Sequence, residues 1–88
     1  GKPGDVLFAI STSGNSKNVV AAIEAAHKKG LRIIGMTGRS GGRIGAMTRE
    51  QDVLLNVDAP ATARIQEVHL LTLHCLCDAI DQLLFGEI

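Results

Sequence analysis

The feature that most limits what this chain can fold into is residues 11–16 (STSGNS), here called the serine loop. It follows the apolar run at residues 6–10 (VLFAI) and precedes a helical pattern that begins near Lys17. A loop that leads from a strand directly into a helix lies beside the unpaired N–H groups at the start of the helix, where the helix dipole favours negative charge. Gly14 permits a tight turn, and hydroxyls can donate to phosphate oxygens. The hydroxyl-bearing residues are Ser11, Thr12, Ser13 and Ser16.

The serine loop therefore predicts a site for the phosphate of a small metabolite. No lysine follows in a GxxxxGK[ST] arrangement, which argues against a nucleotide P-loop. The alternative interpretation is a helix cap rich in Ser and Thr that binds no ligand. A nucleic-acid partner is not expected, because nine basic residues balance nine acidic ones and the only aromatic residues are Phe8 and Phe85.

The pattern along the 88 residues alternates strands with helices. Apolar runs predict strands at residues 5–10, 31–37 and 53–57, and helical spacing predicts helices at 16–29, 43–48 and 62–84. This order predicts an α/β fold with a doubly wound parallel sheet in three layers. Ligands bind at the carboxyl ends of strands in such sheets, so the serine loop and residues 37–42 are expected at one edge.

The last predicted helix is apolar on most sides through its middle, so we expect it to be buried by elements beyond these residues or by another subunit. No uninterrupted apolar run approaches the roughly 18–20 residues that cross a bilayer. Cys75 and Cys77 are expected to be reduced packing residues. Glu67 and His69 are expected in buried structural roles, Arg64 in a solvated or ion-paired one, and His27 at an exposed helix end. Gly41 and Gly42 are expected to form a backbone turn.

Three segments and one histidine carry a resemblance to a known family. They are residues 10–16 (ISTSGNS), residues 37–42 (TGRSGG), residues 64–69 (RIQEVH) and His74. In this order they resemble the sugar isomerase (SIS) domain of the phosphoheptose isomerase family, also called sedoheptulose 7-phosphate isomerases. The resemblance implies a flavodoxin-like sheet. Family chains are roughly twice as long, so residues 1–88 would be the C-terminal β-α-β-α-β-α part of a single SIS domain.

The resemblance implies an enzyme that converts sedoheptulose 7-phosphate to D-glycero-D-manno-heptose 7-phosphate through an enediol, the first step toward the heptose of bacterial lipopolysaccharide. It also implies a cytoplasmic homotetramer with active sites between subunits and one zinc ion per site. Neither a membrane nor direct nucleic-acid contact is implied. The family's second acid/base, a glutamate, would lie outside these residues, so the 88-residue piece alone is expected to be inactive.

Carried over residue by residue, the resemblance implies specific roles at the site. Ser11, Thr12, Ser13 and Ser16 would bind the sugar phosphate. Gln66 would contact substrate and bind zinc, and His74 would be a zinc ligand and the catalytic acid/base. Eight residues span about 12 Å of a straight helix, whereas zinc–ligand bonds are about 2 Å long. Gln66 and His74 would therefore need a helix bend, or ligands from two subunits, to share one ion.

Two other functions remain open from the sequence. A close homologue of the isomerases is a tetramer that binds the bacterial replication initiator, and residues 64–69 and 75–81 (CLCDAID) resemble it as well. That protein has asparagine at the position matching His74 and departs from STSGNS, so His74 and the complete serine loop favour the enzyme. The third function is a sugar-phosphate-sensing module of a transcription regulator, which shares the serine loop but generally not RIQEVH.

Overall fold

The alternation of strands and helices is present in the computed structural model, which describes residues 1–86. The elements are β1 (Val6–Ser11), α1 (Lys17–Lys28), β2 (Arg32–Gly38), α2 (Gly42–Met47), β3 (Val53–Val57) and α3 (Thr62–Phe85). The strands form one parallel sheet in the order β1-β2-β3, with Val6 opposite Arg32 and Ile34 opposite Val53. The predicted α/β fold class is confirmed, with element bounds that differ from the predicted ones by at most one residue.

The main core lies on the face of the sheet that α1 and α2 cover. Helix α1 buries Val20, Ile23 and Ala26, which recur every three residues and form one stripe against the sheet. Gly30, with φ +80°, follows the helix and turns the chain into β2. Besides that stripe, the core contains Ala9, Ile33 and Ile44. Burial of this stripe fixes where α1 begins, and therefore where the serine loop ends.

Helix α3 covers the opposite face of the sheet. Ile33 and Gly38 are five positions apart in β2, so they face opposite sides of the strand. Ile33 belongs to the core under α1, whereas Ile65 of α3 packs at Gly38. Only Ile65 and His69 of α3 are buried. The large apolar residues of α3 that remain exposed are Val68, Leu70, Leu71, Ile80, Leu83, Leu84 and Phe85. Residues 1–86 alone do not bury this helix, since only β2 and β3 lie closely against it there, so its burial by other elements or another subunit remains a prediction. Cys75 and Cys77 are likewise exposed free thiols.

Helix α3 also has the length and composition of a helix that could cross a membrane. No such segment was predicted from uninterrupted apolar runs, because polar residues such as His69, His74 and Asp78 interrupt the run. The mean hydropathy of the helix nevertheless stays high enough for a membrane-spanning helix. One such helix is weak evidence for a membrane, because the core helix of a soluble protein has the same properties.

A buried hydrogen-bonded pair, His27 and Asp52, ties three elements together at the end of the sheet opposite the serine loop. His27 Nε2 donates to Asp52 Oδ2 at 2.7 Å, and the two side chains are 5% and 0% exposed. The N–H of Ile33 donates to Asp52 Oδ1 at 2.9 Å, and the N–H of Arg49 donates to Oδ2 at 2.9 Å. The prediction that His27 lies at an exposed helix end is therefore wrong, because Asp52 reaches it from the turn before β3.

Candidate functional site

The serine loop leaves the carboxyl end of β1 in a shape that two of its own hydroxyl oxygens hold. Ser11 Oγ accepts from the N–H of Gly14 at 3.2 Å, and Ser13 Oγ accepts from the N–H of Asn15 at 3.1 Å. Ser11 is buried and Ser13 is exposed. Because each oxygen is engaged as an acceptor, each hydroxyl hydrogen can still be donated to a ligand.

The start of α1 adds donors to this loop. Ser16 occupies the N-cap position and is half-buried, but among residues 1–86 no side chain donates or accepts a capping bond there. The first turn of α1 contains no acidic residue and begins with Lys17. The N–H groups of this turn therefore lie beside the serine loop in a setting that favours an anion.

The serine loop packs against the loop that joins β2 to α2, here called the supporting loop. Gly14, at φ +73°, lies so close that a Cβ on it would be 2.0 Å from the carbonyl oxygen of Gly41. The N–H of Ile44 donates to the carbonyl of Gly14 at 2.9 Å. Gly41 and Gly42 have φ angles of +89° and +58°, which confirms the predicted backbone turn.

An open cavity of about 390 Å³ lies between the serine loop and α3. It brings together Thr12 and Gln66, two of the predicted substrate-binding residues, although 53 residues separate them in the sequence. The lining residues are Ile10, Thr12, Gln66, His69, Leu70 and Leu73. His69 was not predicted to be part of the site. The sequence signal for it is its spacing of three residues from Gln66, which places both residues on one side of the helix.

The N-terminal half of α3 is seated on the carboxyl end of β2. His69 Nε2 donates to the carbonyl of Thr37 at 2.7 Å, and Thr37 Oγ1 donates to Asn56 Oδ1 at 2.8 Å. A Cβ at Gly38 would lie 2.5 Å from the carbonyl oxygen of Thr12 and 2.6 Å from Ile65 Cδ1. The strand end can therefore carry only glycine where the serine loop and α3 converge on it.

His74 and Gln66 are both exposed, and only Gln66 lines the cavity. A separation of eight residues on an α-helix corresponds to about 12 Å along the helix axis and a rotation of about 80° around it. Residues 1–86 contain no group of three or more His, Cys, Asp or Glu side chains that could hold one metal ion. The pair therefore does not fit a zinc site by itself, because the separation is several times a zinc–ligand bond.

The charged residues of the RIQEVH segment pair with each other on the outside of α3. Arg64 Nη2 donates to Glu67 Oε1 at 2.7 Å, and both side chains are more than half exposed. The prediction of an ion-paired Arg64 is confirmed. The prediction of a buried Glu67 is wrong in residues 1–86, because Glu67 lies on the side of the helix away from the sheet. Such an exposed pair stabilises the fold by less than about 1 kcal/mol.

Comparisons with known proteins agree with this geometry. Residues 1–38 match the family model described as SIS domain. A phosphoheptose isomerase from Azoarcus sp. is 65% identical over 86 residues, which is 98% of this chain and 44% of the relative. A phosphoheptose isomerase from Methylibium petroleiphilum is 61% identical over 87 residues, 99% of this chain and 44% of the relative. The chain is a homologue of the phosphoheptose isomerases. The resemblance predicted from the sequence motifs is thereby confirmed.

Solved phosphoheptose isomerases have the same arrangement of strands and helices. The enzyme from Neisseria gonorrhoeae superposes with a TM-score of 0.91 at 58% identity, over 92% of this chain and 45% of that one. The enzyme from Francisella tularensis gives a TM-score of 0.90 at 45% identity, over 93% and 45%. The chain thus spans about 44% of the length of the curated phosphoheptose isomerases it matches, and corresponds to their C-terminal part.

Proposed function

We propose that the protein containing this chain is a phosphoheptose isomerase that converts sedoheptulose 7-phosphate to D-glycero-D-manno-heptose 7-phosphate. The observation that carries the proposal is the cavity in which Thr12 of the serine loop meets Gln66 of α3. The identity of 58–65% to proteins named phosphoheptose isomerase supports it. In this proposal residues 1–88 are the C-terminal part of a single SIS domain.

The serine loop binds the phosphate group in this proposal. Ser11 and Ser13 have hydroxyl hydrogens left to donate, Thr12 lines the cavity, and Ser16 stands at the uncapped start of α1. Hydroxyl and backbone N–H donors together suit a phosphate dianion, which brings acceptors and negative charge. The sugar chain then extends from the serine loop toward α3, where the Gln66 amide can donate to or accept from its hydroxyls.

The chemistry is the transfer of one proton between adjacent carbons. A base removes the proton from the carbon beside the carbonyl while an acid protonates the carbonyl oxygen, which gives an enediol. The former carbonyl carbon then gains a proton while the hydroxyl on the neighbouring carbon loses its own, which gives the isomeric carbonyl. Histidine can serve as the acid or the base near neutral pH, and we assign one of these roles to His74. Its partner, a glutamate by family resemblance, comes from outside these residues.

The position of His74 supports a site that other elements complete. His74 is exposed and lies beside an apolar surface of α3 that residues 1–86 do not cover. We propose that this surface is an interface of a homotetramer and that the active site lies between subunits. Zinc would take Gln66 and His74 as two of its ligands only if α3 bends or the two side chains come from different subunits, and only with further ligands from outside these residues. We place the enzyme in the cytoplasm, where this sugar phosphate would be its soluble substrate.

The test is turnover of sedoheptulose 7-phosphate by the full-length protein and by its His74→Asn variant. Asparagine keeps a polar side chain but cannot exchange protons near neutral pH, so turnover should fall at least about a hundredfold. Cys75→Ser, an exposed change at the next position, is the matched control and should leave turnover unchanged.

Absence of turnover by the intact wild-type protein, with and without added zinc, would contradict the proposed activity. Binding of the replication initiator would then become the function to test, since the same fold serves it. Equal turnover by the wild type and His74→Asn would retain the enzyme but remove His74 from its chemistry.

A further inference from the structure

His69 is a buried histidine whose ring orientation is fixed by the end of β2. It is 4% exposed, and its Nε2 lies 2.7 Å from the carbonyl oxygen of Thr37. A carbonyl oxygen only accepts, so Nε2 must carry the hydrogen. In the neutral ring Nδ1 is then an unprotonated acceptor. The contact with Thr37 thus selects one tautomer and one orientation of the ring.

The ring of His69 lines the cavity. Within residues 1–86 the ring makes no hydrogen bond other than that of Nε2. No side-chain nitrogen or oxygen in that part of the chain is both fully buried and unpartnered. Nδ1 is therefore not fully enclosed, and the open space that the ring lines is the cavity shared with Thr12 and Gln66.

The composition of this cavity matches a polyol. Its apolar wall consists of Ile10, Leu70 and Leu73, and its polar groups are a hydroxyl, a carboxamide and the imidazole. A volume of about 390 Å³ falls in the range of small-molecule sites. The phosphate group of a sugar phosphate, as a dianion, has no hydrogen to give to Nδ1, whereas a sugar hydroxyl does. The unprotonated nitrogen therefore distinguishes the sugar chain of a ligand from its phosphate.

We propose that His69 binds the sugar chain of the substrate by accepting a hydrogen bond from one of its hydroxyls at Nδ1. This inference rests on the proposed function, because it takes the ligand to be a sugar phosphate anchored at the serine loop. It assigns to His69 direct contact with substrate, in addition to its anchoring of α3 to β2.

The test compares two ligands on full-length protein carrying His69→Gln. The glutamine amide N–H can still donate to Thr37, but it leaves no acceptor where Nδ1 was. Calorimetry would measure binding of sedoheptulose 7-phosphate and, separately, of inorganic phosphate. We expect phosphate affinity and the melting temperature to stay near wild type, while affinity for the sugar phosphate falls about tenfold.

Three results would overturn the proposal. They are wild-type affinity of His69→Gln for the sugar phosphate, equal losses for both ligands, and a wild-type protein that binds the sugar phosphate no more tightly than phosphate. If His69→Gln does not fold, His69→Asn replaces it, since its carbonyl oxygen can occupy the Nδ1 position; it should then bind the sugar phosphate more tightly than His69→Phe. A wild type that binds the sugar phosphate without isomerising it would contradict the proposed function and leave the binding comparison valid.

Discussion

Asn15 Oδ1 accepts a hydrogen bond from the backbone N–H of Arg43 at 2.9 Å, so a residue of the serine loop caps helix α2, 28 positions further along the chain. The next N–H of that helix, from Ile44, donates to the carbonyl of Gly14. Two of the N–H groups that a helix leaves unpaired at its start are thus satisfied by the loop proposed to bind phosphate. The shape of the serine loop and the position of α2 are therefore coupled.

Replacing Asn15 should separate this structural role from ligand binding. Asn15→Ala removes the cap and should lower the free energy of unfolding by about 1 kcal/mol, and it should also weaken phosphate binding because the loop loses a tether. Asn15→Asp keeps an acceptor for Arg43 but adds negative charge beside the phosphate. It should keep the stability and still lose affinity. Thermal unfolding and phosphate calorimetry on the full-length protein measure the two effects, and unchanged affinity in both variants would contradict the coupling.

Gly14→Ala should be severely destabilising. The new Cβ would lie 2.0 Å from the carbonyl oxygen of Gly41, at a φ of +73° that L residues rarely adopt. The expected loss is about 3 kcal/mol or more, since overpacking and left-handed strain add together. Gly4→Ala is the matched control, because Gly4 has a φ of +89° with nothing within 4 Å of its Cβ. It should cost only about 1 kcal/mol in urea unfolding; similar losses in both variants would refute the close approach.

Asp52 should make the fold sensitive to acid. Burial alone would raise the pKa of Asp52, but hydrogen bonds from the Arg49 N–H, the His27 ring and the Ile33 N–H, with the His27 charge, hold that pKa below its usual 3.8. A depressed pKa means that the carboxylate stabilises the fold above pH 3.8, and that this contribution disappears as pH falls through the lower folded-state pKa.

Asp52→Asn should therefore be less stable than the wild type by about 2 kcal/mol near neutral pH, and the difference should shrink in acid. Urea unfolding at about pH 7 and about pH 2.5 measures it. Asp5→Asn, at a half-buried residue outside this pair, is the control for carboxylates in general. A difference between Asp52→Asn and wild type that is constant with pH would show that the charge of Asp52 contributes nothing.

Leu83→Glu should impair assembly of the full-length protein. Leu83 is 84% exposed in residues 1–86 and lies in a row with Ile80 and Leu84 on α3. If this surface is the proposed tetramer interface, a buried carboxylate there should shift the tetramer toward smaller species. Light scattering would measure the mass, with Lys28→Glu on the outer side of α1 as control. A tetramer with wild-type dissociation behaviour would remove this surface from the interface.

The 88-residue chain on its own should show no isomerase turnover. Its cavity is open, and His74 is exposed outside that cavity. The glutamate proposed as the second acid or base lies outside these residues. Sedoheptulose 7-phosphate assays on the purified chain and the full-length protein, at matched concentrations, test this. Turnover by the chain alone would show that His74 and the serine loop suffice.

The elements were predictable because each has a local cause. Apolar runs mark β1 to β3, periodic apolar residues mark α1 and α3, and Gly30 marks a helix end, so the predicted bounds agree with the structure to within one residue. Parallel strands place their carboxyl ends at one edge, which brought the serine loop and the loop after β2 together as expected.

Contacts between distant residues were not predictable in the same way. Asn15 looks like a turn residue, and nothing local shows that it caps a helix that begins after Gly41. His27 follows an apolar stripe and precedes two lysines, so it resembles a helix end, whereas Asp52 buries it. The substrate-binding roles of Ser11, Thr12, Ser13, Ser16 and Gln66 remain predictions, as do the catalytic role of His74 and the zinc site.

The backbone contact between Gly14 and Gly41 limits how this scaffold can diversify. Neither Gly14 of the serine loop nor Gly42 of the supporting loop can gain a side chain without a clash, so a change in ligand preference is not expected to begin there. The opposite wall of the cavity, residues 66–73 of α3, consists of side chains on a regular helix and can change one at a time. Proteins with this fold should therefore keep the serine loop and differ in the side chains of α3 that line the cavity.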